Sequence, residues 1–253
     1  MYLEKYNLKG RTAVVTGGGQ GIGFACAQAL GEAGAAVVVA EKVPERVESA
    51  VKQLQALKID ASGAVLDVTD SAAVEALAQK VGNAEILVNN AGVAISDVRA
   101  EDTSDEHWRF HMSINVVGLF YCCRSFGKQM LAHGKGSIVN IGSMSGFIVN
   151  KPQPQSFYNA SKASVHHLTK SLACEWGARG VRVNAVAPTY IETPLTKFGT
   201  ENKAMADVWL EMTPMGRVGQ PEEIASTVLF LASDAASLLT GSIVLADGGY
   251  TCW

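Results

Sequence analysis

Short runs of β-branched and apolar residues alternate along the chain with longer stretches whose apolar positions recur at helical spacing. The runs at 12–16, 36–40, 63–66, 86–88, 137–141, 182–187 and 242–245 predict strands. The amphipathic stretches near 20–33, 45–57, 71–81, 104–132, 157–178 and 221–232 predict helices. The run at 36–40, Ala-Val-Val-Val-Ala, is apolar throughout and suits a strand covered on both faces, as in a parallel sheet. Strand and helix taking turns predict an α/β doubly wound fold with right-handed crossovers. Asp70 offers a helix N-cap, Pro221-Glu222-Glu223 suits a first helical turn, and Gly34 and Gly180 read as helix stops. Residues 188–214 are the least regular stretch and predict a substrate lid.

Composition narrows the class. The 253 residues lie near the length at which one core stops growing, so the whole chain, 1–253, reads as a single domain. A net charge of −3 gives no reason to expect a nucleic-acid partner. No apolar run approaches the roughly 18 residues of a membrane span. Residues 1–8 mix charged and apolar positions and lack the core of a signal peptide. Five cysteines, odd in number and without a CxxC pair, argue against a disulfide frame and against zinc. A cytoplasmic protein with mostly buried thiols and no bound metal is expected.

The first predicted strand runs into Thr16-Gly17-Gly18-Gly19-Gln20-Gly21-Ile22-Gly23, and an Ala-rich helix follows. Glycines let a backbone turn tightly against a pyrophosphate, and a helix N-terminus supplies free N–H groups and a positive dipole end. Glu41 follows the second strand about twenty residues later, where an acid can accept both hydroxyls of an adenosine ribose and repel a 2′-phosphate. NAD is the cofactor expected; Lys42, next in sequence, argues the other way.

The Gly-x-x-x-Gly-x-Gly spacing resembles that of the short-chain dehydrogenase/reductase family. The likeness continues through Asp67, Asn89-Asn90-Ala91-Gly92, Asn115, Ser143, Tyr158-x-x-x-Lys162 and Pro188 to Thr193. The resemblance implies a Rossmann-like parallel sheet of seven strands, order 3-2-1-4-5-6-7, with helices on both faces. It implies that Gly17, Gln20, Gly21, Ile22 and Gly23 cradle the cofactor, and that Asp67 and Val68 meet the adenine. Asn90, Ala91 and Gly92 are then expected under the ribose, Pro188 and Ile191 against the cofactor, and Thr193 at the nicotinamide carboxamide or a phosphate. A neutral Gln20, where NADP-preferring members often carry a basic residue, also favours NAD. One departure stands out: the family's Pro-Gly after the sixth strand is here Pro188-Thr189.

Tyr158 and Lys162 are four apart and share a helix face. A free phenol, with a pKa of about 10, is only ~0.1% ionised at neutral pH, so a tyrosine base needs positive charge beside it. Lys162 and a cationic nicotinamide supply that charge. Ser143 is placed to hold the substrate oxygen. By the resemblance, Asn115 opens the preceding helix and holds a water behind the lysine. His166-His167 lies on the same helix, but adjacent histidines point to different faces and suggest no metal.

The expected reaction is oxidation of a secondary alcohol to a ketone. The sequences 143–153 and 247–253 resemble those of the polyol and sugar-alcohol dehydrogenases within the family. Ser143, Ser145, Asn150, Gln153 and Tyr158 are therefore the substrate residues expected, with Gln155 nearby. Two alternatives stay open: a 3-oxoacyl-carrier-protein reductase and a non-catalytic dinucleotide sensor. The family resemblance, together with apolar residues in the two longest helices (Leu119, Phe120, Tyr121, Phe126, Leu168, Leu172 and Trp176), leads to the expectation of a homotetramer.

Overall fold

The computed structural model describes residues 1–253. Seven parallel strands form one sheet: β1 (Thr12–Thr16), β2 (Ala36–Glu41), β3 (Ala61–Val65), β4 (Ile86–Asn89), β5 (Gly136–Ile141), β6 (Val181–Pro188) and β7 (Ile243–Ala246). Their order is β3-β2-β1-β4-β5-β6-β7, as expected, and every neighbouring pair is parallel. Between them run α1 (Gly21–Glu32), α2 (Pro44–Ala56), α3 (Ser71–Val81), α4 (Asp105–Met112), α5 (Leu119–His133), α6 (Ser156–Trp176), α7 (Lys197–Thr200), α8 (Lys203–Met212) and α9 (Pro221–Ala232).

Strands apolar on both sides need helices on both sides. One core gathers α1, α2 and α9 against the sheet through Leu30, Leu54 and Val228. The other gathers α3, α5 and α6 through Leu77, Phe126 and Val165. No helix is long and apolar enough to cross a membrane. Of the five thiols, Cys26, Cys122 and Cys123 are buried, and burial pushes Cys26 and Cys122 up to about 12; Cys174 and Cys252 are exposed.

Two expectations are corrected. The third strand begins at Ala61 rather than 63: Ala61-Ser62-Gly63 has no β-branched signal, and pairing of Val37 with Ala61 recruits it. The predicted helix 104–132 is opened at Asn115, as the resemblance implied, by a π-helical turn, Ser113–Gly118. The apolar residues assigned to a subunit interface are mostly interior, since Leu119, Phe126, Leu172 and Trp176 are all buried. Of the seven, Phe120 is exposed, and Trp108 and Phe110 on α4 and Val117 in the π-helical turn are exposed beside it.

Candidate active site

The glycine turn lies at the C-terminal end of β1. Gly17 and Gly21 take φ of +60° and +54°, conformations that a side chain disfavours. A Cβ on Gly17 would stand 2.9 Å from the Ala91 backbone, so the turn can close onto the loop after β4 only without one. Thr16 and Asn90 knit the two segments together. Thr16 Oγ1 accepts from the N–H groups of Asn90 and Ala91, both at 3.1 Å. Asn90 Nδ2 donates to the carbonyls of Thr16 (3.1 Å) and Gly17 (2.9 Å). Gln20 precedes α1 without capping it, so the first N–H groups of that helix stay open to the cleft.

That cleft is a cavity of about 470 Å³, and Gly17, Gln20, Gly21, Ile22, Glu41 and Asp67 line one part of it. Val68, Asn90, Ala91, Gly92 and Thr193 line another. Gly23 lines none of it; a side chain there would collide with Gly17 and Asn90, so its part is to let α1 approach the turn. The donor-rich turn, the acid at β2 and the open helix end fit a dinucleotide.

Glu41 is buried, with Oε1 accepting the Val43 N–H at 3.2 Å and its Cγ packed beneath Gly19. Lys42 turns away and pairs with Asp67 at 2.7 Å. The Lys42 ammonium, with help from the Thr69 N–H and hydroxyl, holds the Asp67 carboxyl down at about 2. Both Asp67 oxygens are therefore engaged before any adenine arrives. Arg46, which the sequence reading overlooked, lines the same end of the cleft. Its signal was its place in the first turn of α2, where a cation opposes the helix dipole.

A second cavity, about 110 Å³, joins the first at Ile22, Asn90, Gly92 and Thr193. Here Ser143, Tyr158 and Lys162 meet Pro188, Thr189 and Ile191. Lys162 Nζ lies 5.7 Å from the Tyr158 ring centroid and donates to the Ile141 carbonyl at 2.9 Å. Burial pulls the lysine down to about 8 and pushes the Tyr158 phenol up, while a hydrogen bond with Ser143 pulls the phenol back. Asn115 reaches across: Oδ1 accepts from the Val93 N–H (2.9 Å), and Nδ2 donates to the Val93 carbonyl (3.0 Å) and Ser161 Oγ (3.1 Å). It ties the loop after β4 to α6. Thr189 needs no left-handed backbone, and its N–H donates to the Ala246 carbonyl at 3.3 Å, so the missing glycine leaves the turn intact.

The loop after Ser143 folds inward. Ser145, Asn150, Gln153 and Gln155 are all buried and border a third cavity of about 70 Å³, with Ser143 and Tyr158. The amides lie beside the pocket as expected, but most are paired with protein groups, because a buried unpaired amide costs about 1–3 kcal/mol. Asn150 and Gln153 both donate to Tyr190 Oη, at 3.0 and 3.1 Å, and Gln155 donates to Asn150 Oδ1 at 3.0 Å. Gln153 Oε1 accepts from Trp209 Nε1 at 3.2 Å, and the Tyr190 and Trp209 rings stack at 3.7 Å. Gln153 is thus spent on holding these two aromatics. The irregular stretch 188–214 contains α7 and α8, and α8 brings Trp209 over the pocket.

The family described as enoyl-(acyl carrier protein) reductase matches residues 17–251. The galactitol 2-dehydrogenase of Rhizobium johnstonii is 53% identical over 256 residues, covering 100% of this chain and 99% of that one. This chain belongs to the short-chain dehydrogenase/reductase family. The solved structure of gox2181 matches this short-chain dehydrogenase/reductase with a TM-score of 0.99 and 52% identity over 100% of both chains. A gluconate 5-dehydrogenase from Burkholderia cenocepacia, solved with NADP and tartrate, matches with a TM-score of 0.95 and 33% identity, again over 100% of both. The short-chain dehydrogenase/reductase described here is accordingly an oxidoreductase acting on CH–OH groups with a nicotinamide dinucleotide.

Proposed function

We propose that this enzyme oxidises a secondary alcohol of a small polyol to the ketone, giving a ketose, with NAD, and that it also runs the reduction. The observation that carries the substrate class is the pocket wall facing Ser143 and Tyr158. Ser145, Asn150, Gln155 and Tyr190 are buried, uncharged and joined in one hydrogen-bonded array. Ligand hydroxyls taken out of water each need a partner, and the capacity this array leaves unused, the Ser145 hydroxyl proton and the second hydrogen of the Asn150 amide, supplies partners without favouring a charged substrate. A fatty acyl chain would want apolar lining instead. The likeness to galactitol 2-dehydrogenase points the same way. By resemblance, carrier-protein reductases commonly place an exposed basic residue for an acidic carrier where this chain has Cys174, which is exposed and uncharged.

In the oxidative direction Tyr158 takes the proton of the substrate hydroxyl, while Ser143 Oγ holds that oxygen. Bound NAD would supply the acceptor for the hydride that leaves the carbon bearing that hydroxyl, and a positive charge beside the phenol. Lys162 adds a second cation, and by the family resemblance Asn115 would hold a water behind it through which the proton reaches solvent. Preference for NAD rests on Glu41, which is fixed by burial and would face the roughly two negative charges of a 2′-phosphate. Arg46 favours NADP but is exposed and free to swing away. The remaining readings are a single catalytic domain with 188–214 as its lid, a homotetramer, and a cytoplasmic location.

A substrate panel tests the central claim: galactitol and a C5 alditol with NAD, a simple secondary alcohol with NAD, and an acetoacetyl thioester with NADH. Alditols are expected to react fastest. Far faster turnover of the thioester overturns the polyol reading in favour of a carrier-protein reductase.

A further inference from the structure

His166 lies one turn beyond Lys162 on α6, and its side chain sits directly behind the turn that carries Ser143. The ring is buried. It fills the space left by two glycines: a Cβ on Gly142 would stand 2.5 Å from its Nε2, and one on Gly146 would stand 2.5 Å from its Cε1. The Phe147 ring covers it from outside, with centroids 4.5 Å apart. Gly142-Ser143-Met144-Ser145-Gly146 is therefore moulded around an imidazole.

Hydrogen bonding gives the ring a direction. Other groups of this turn have conventional partners: the Gly142 N–H donates to Val186 (2.7 Å), the Gly146 N–H to the Ser143 carbonyl (3.0 Å), and the Ser145 N–H to Ser143 Oγ (3.1 Å). The Ser143 N–H donates to His166 Nε2, over a long 3.5 Å. An Nε2 that accepts leaves the ring proton on Nδ1, and Nδ1 is buried with no partner. An unpaired buried donor is a rare and costly feature in a folded protein, and it accompanies the tautomer that serves Ser143. Burial, then the charges of Lys162 and Lys170, pull the imidazole down to about 4, which keeps the acceptor lone pair available at neutral pH.

We propose that His166 is a positioning residue for Ser143, orienting the serine hydroxyl toward the substrate oxygen by accepting its backbone N–H and filling the turn beneath it. This rests on the role proposed for Ser143, and the test separates the two. His166→Phe keeps a ring without an acceptor, and His166→Leu repeats the test if the phenylalanine does not fit. In His166→Gln, Oε1 lies about where Nε2 was. Each is assayed with NAD and the fastest alcohol of the panel above, alongside Ser143→Ala and the double variant.

His166→Phe is expected to lower kcat at least tenfold, to leave the NAD dissociation constant within twofold, and to raise the deuterium isotope effect on kcat with the carbinol-deuterated alcohol. His166→Gln is expected to recover most of the loss. In the Ser143→Ala background, His166→Phe is expected to add less than twofold, because its effect passes through the serine. A His166→Phe enzyme with wild-type kcat, beside an impaired Ser143→Ala, overturns the role of His166 alone. An equal loss in both backgrounds overturns it too, as that is general loosening of the fold. Wild-type turnover by Ser143→Ala overturns the catalytic reading of the serine, and the positioning role with it.

Discussion

Replacing Lys162 by methionine is expected to abolish turnover while leaving the protein equally stable or more stable at pH 7. Burial lowers the lysine from 10.5 to about 8 in the folded protein. A lysine with a depressed folded-state pKa costs stability below that pKa, and the cost fades as pH rises from 8 toward 10.5, because the unfolded chain alone still binds the proton. At 1.36 kcal/mol per pKa unit the cost is about 3 kcal/mol at pH 7 and about 1 kcal/mol at pH 10. Methionine removes it, but also removes the bond to the Ile141 carbonyl, a loss of roughly 1.5–3 kcal/mol for a charged donor. The two terms nearly cancel at pH 7, so the diagnostic quantity is the pH dependence. Stability of Lys162→Met relative to wild type is expected to fall by about 2 kcal/mol between pH 7 and pH 10. Urea unfolding followed by tryptophan fluorescence, without cofactor, measures this at each pH. A difference that stays flat across that range refutes the claim that burial, rather than packing, sets the state of Lys162.

Tyr158→Phe is expected to reduce kcat by a factor of 10² or more with NAD affinity nearly unchanged, as initial rates and fluorescence titration would show. For the wild type, kcat/KM with NAD is expected to exceed that with NADP at least tenfold, about 1.4 kcal/mol, and Glu41→Ala is expected to narrow the gap. A wild type that prefers NADP means that Arg46 governs this end of the cleft. Light scattering is expected to report four chains of 26.7 kDa each, and a monomer at micromolar concentration removes the assembly proposal.

The fold was legible because buried strands announce themselves. Six of the seven predicted strands fall within a residue or so of those observed, each rich in valine or isoleucine. The third failed because an edge strand of alanine, serine and glycine is specified by its partner, not by itself. Glu41 and Ser143 were legible because a motif at a strand end fixes where a side chain projects. The pocket wall was only half legible. Sequence placed Asn150, Gln153 and Gln155 near the site, but their partners Tyr190 and Trp209 lie dozens of residues away, on β6's exit and α8. Arg46 escaped for a similar reason, since its meaning depends on Gly19 and Glu41 lying beside it in space.

The two titrating groups of the site are shifted in directions that bear on how the base arises. Burial raises the Tyr158 phenol, which opposes its use as a base, and lowers Lys162, which weakens the cation meant to help it. The lysine is 5.7 Å from the ring centroid and spends a hydrogen on Ile141, so its help is electrostatic and partial. The Ser143 hydrogen bond alone works in the needed direction. The protein by itself therefore keeps the phenol protonated at neutral pH, and the remaining drive has to come from a further positive charge. On the proposed mechanism a nicotinamide cation would be that charge, and the cavity that holds Tyr158 shares lining residues with the proposed dinucleotide cleft. On that mechanism the proton-accepting form of Tyr158 is therefore favoured only with the oxidised cofactor in place.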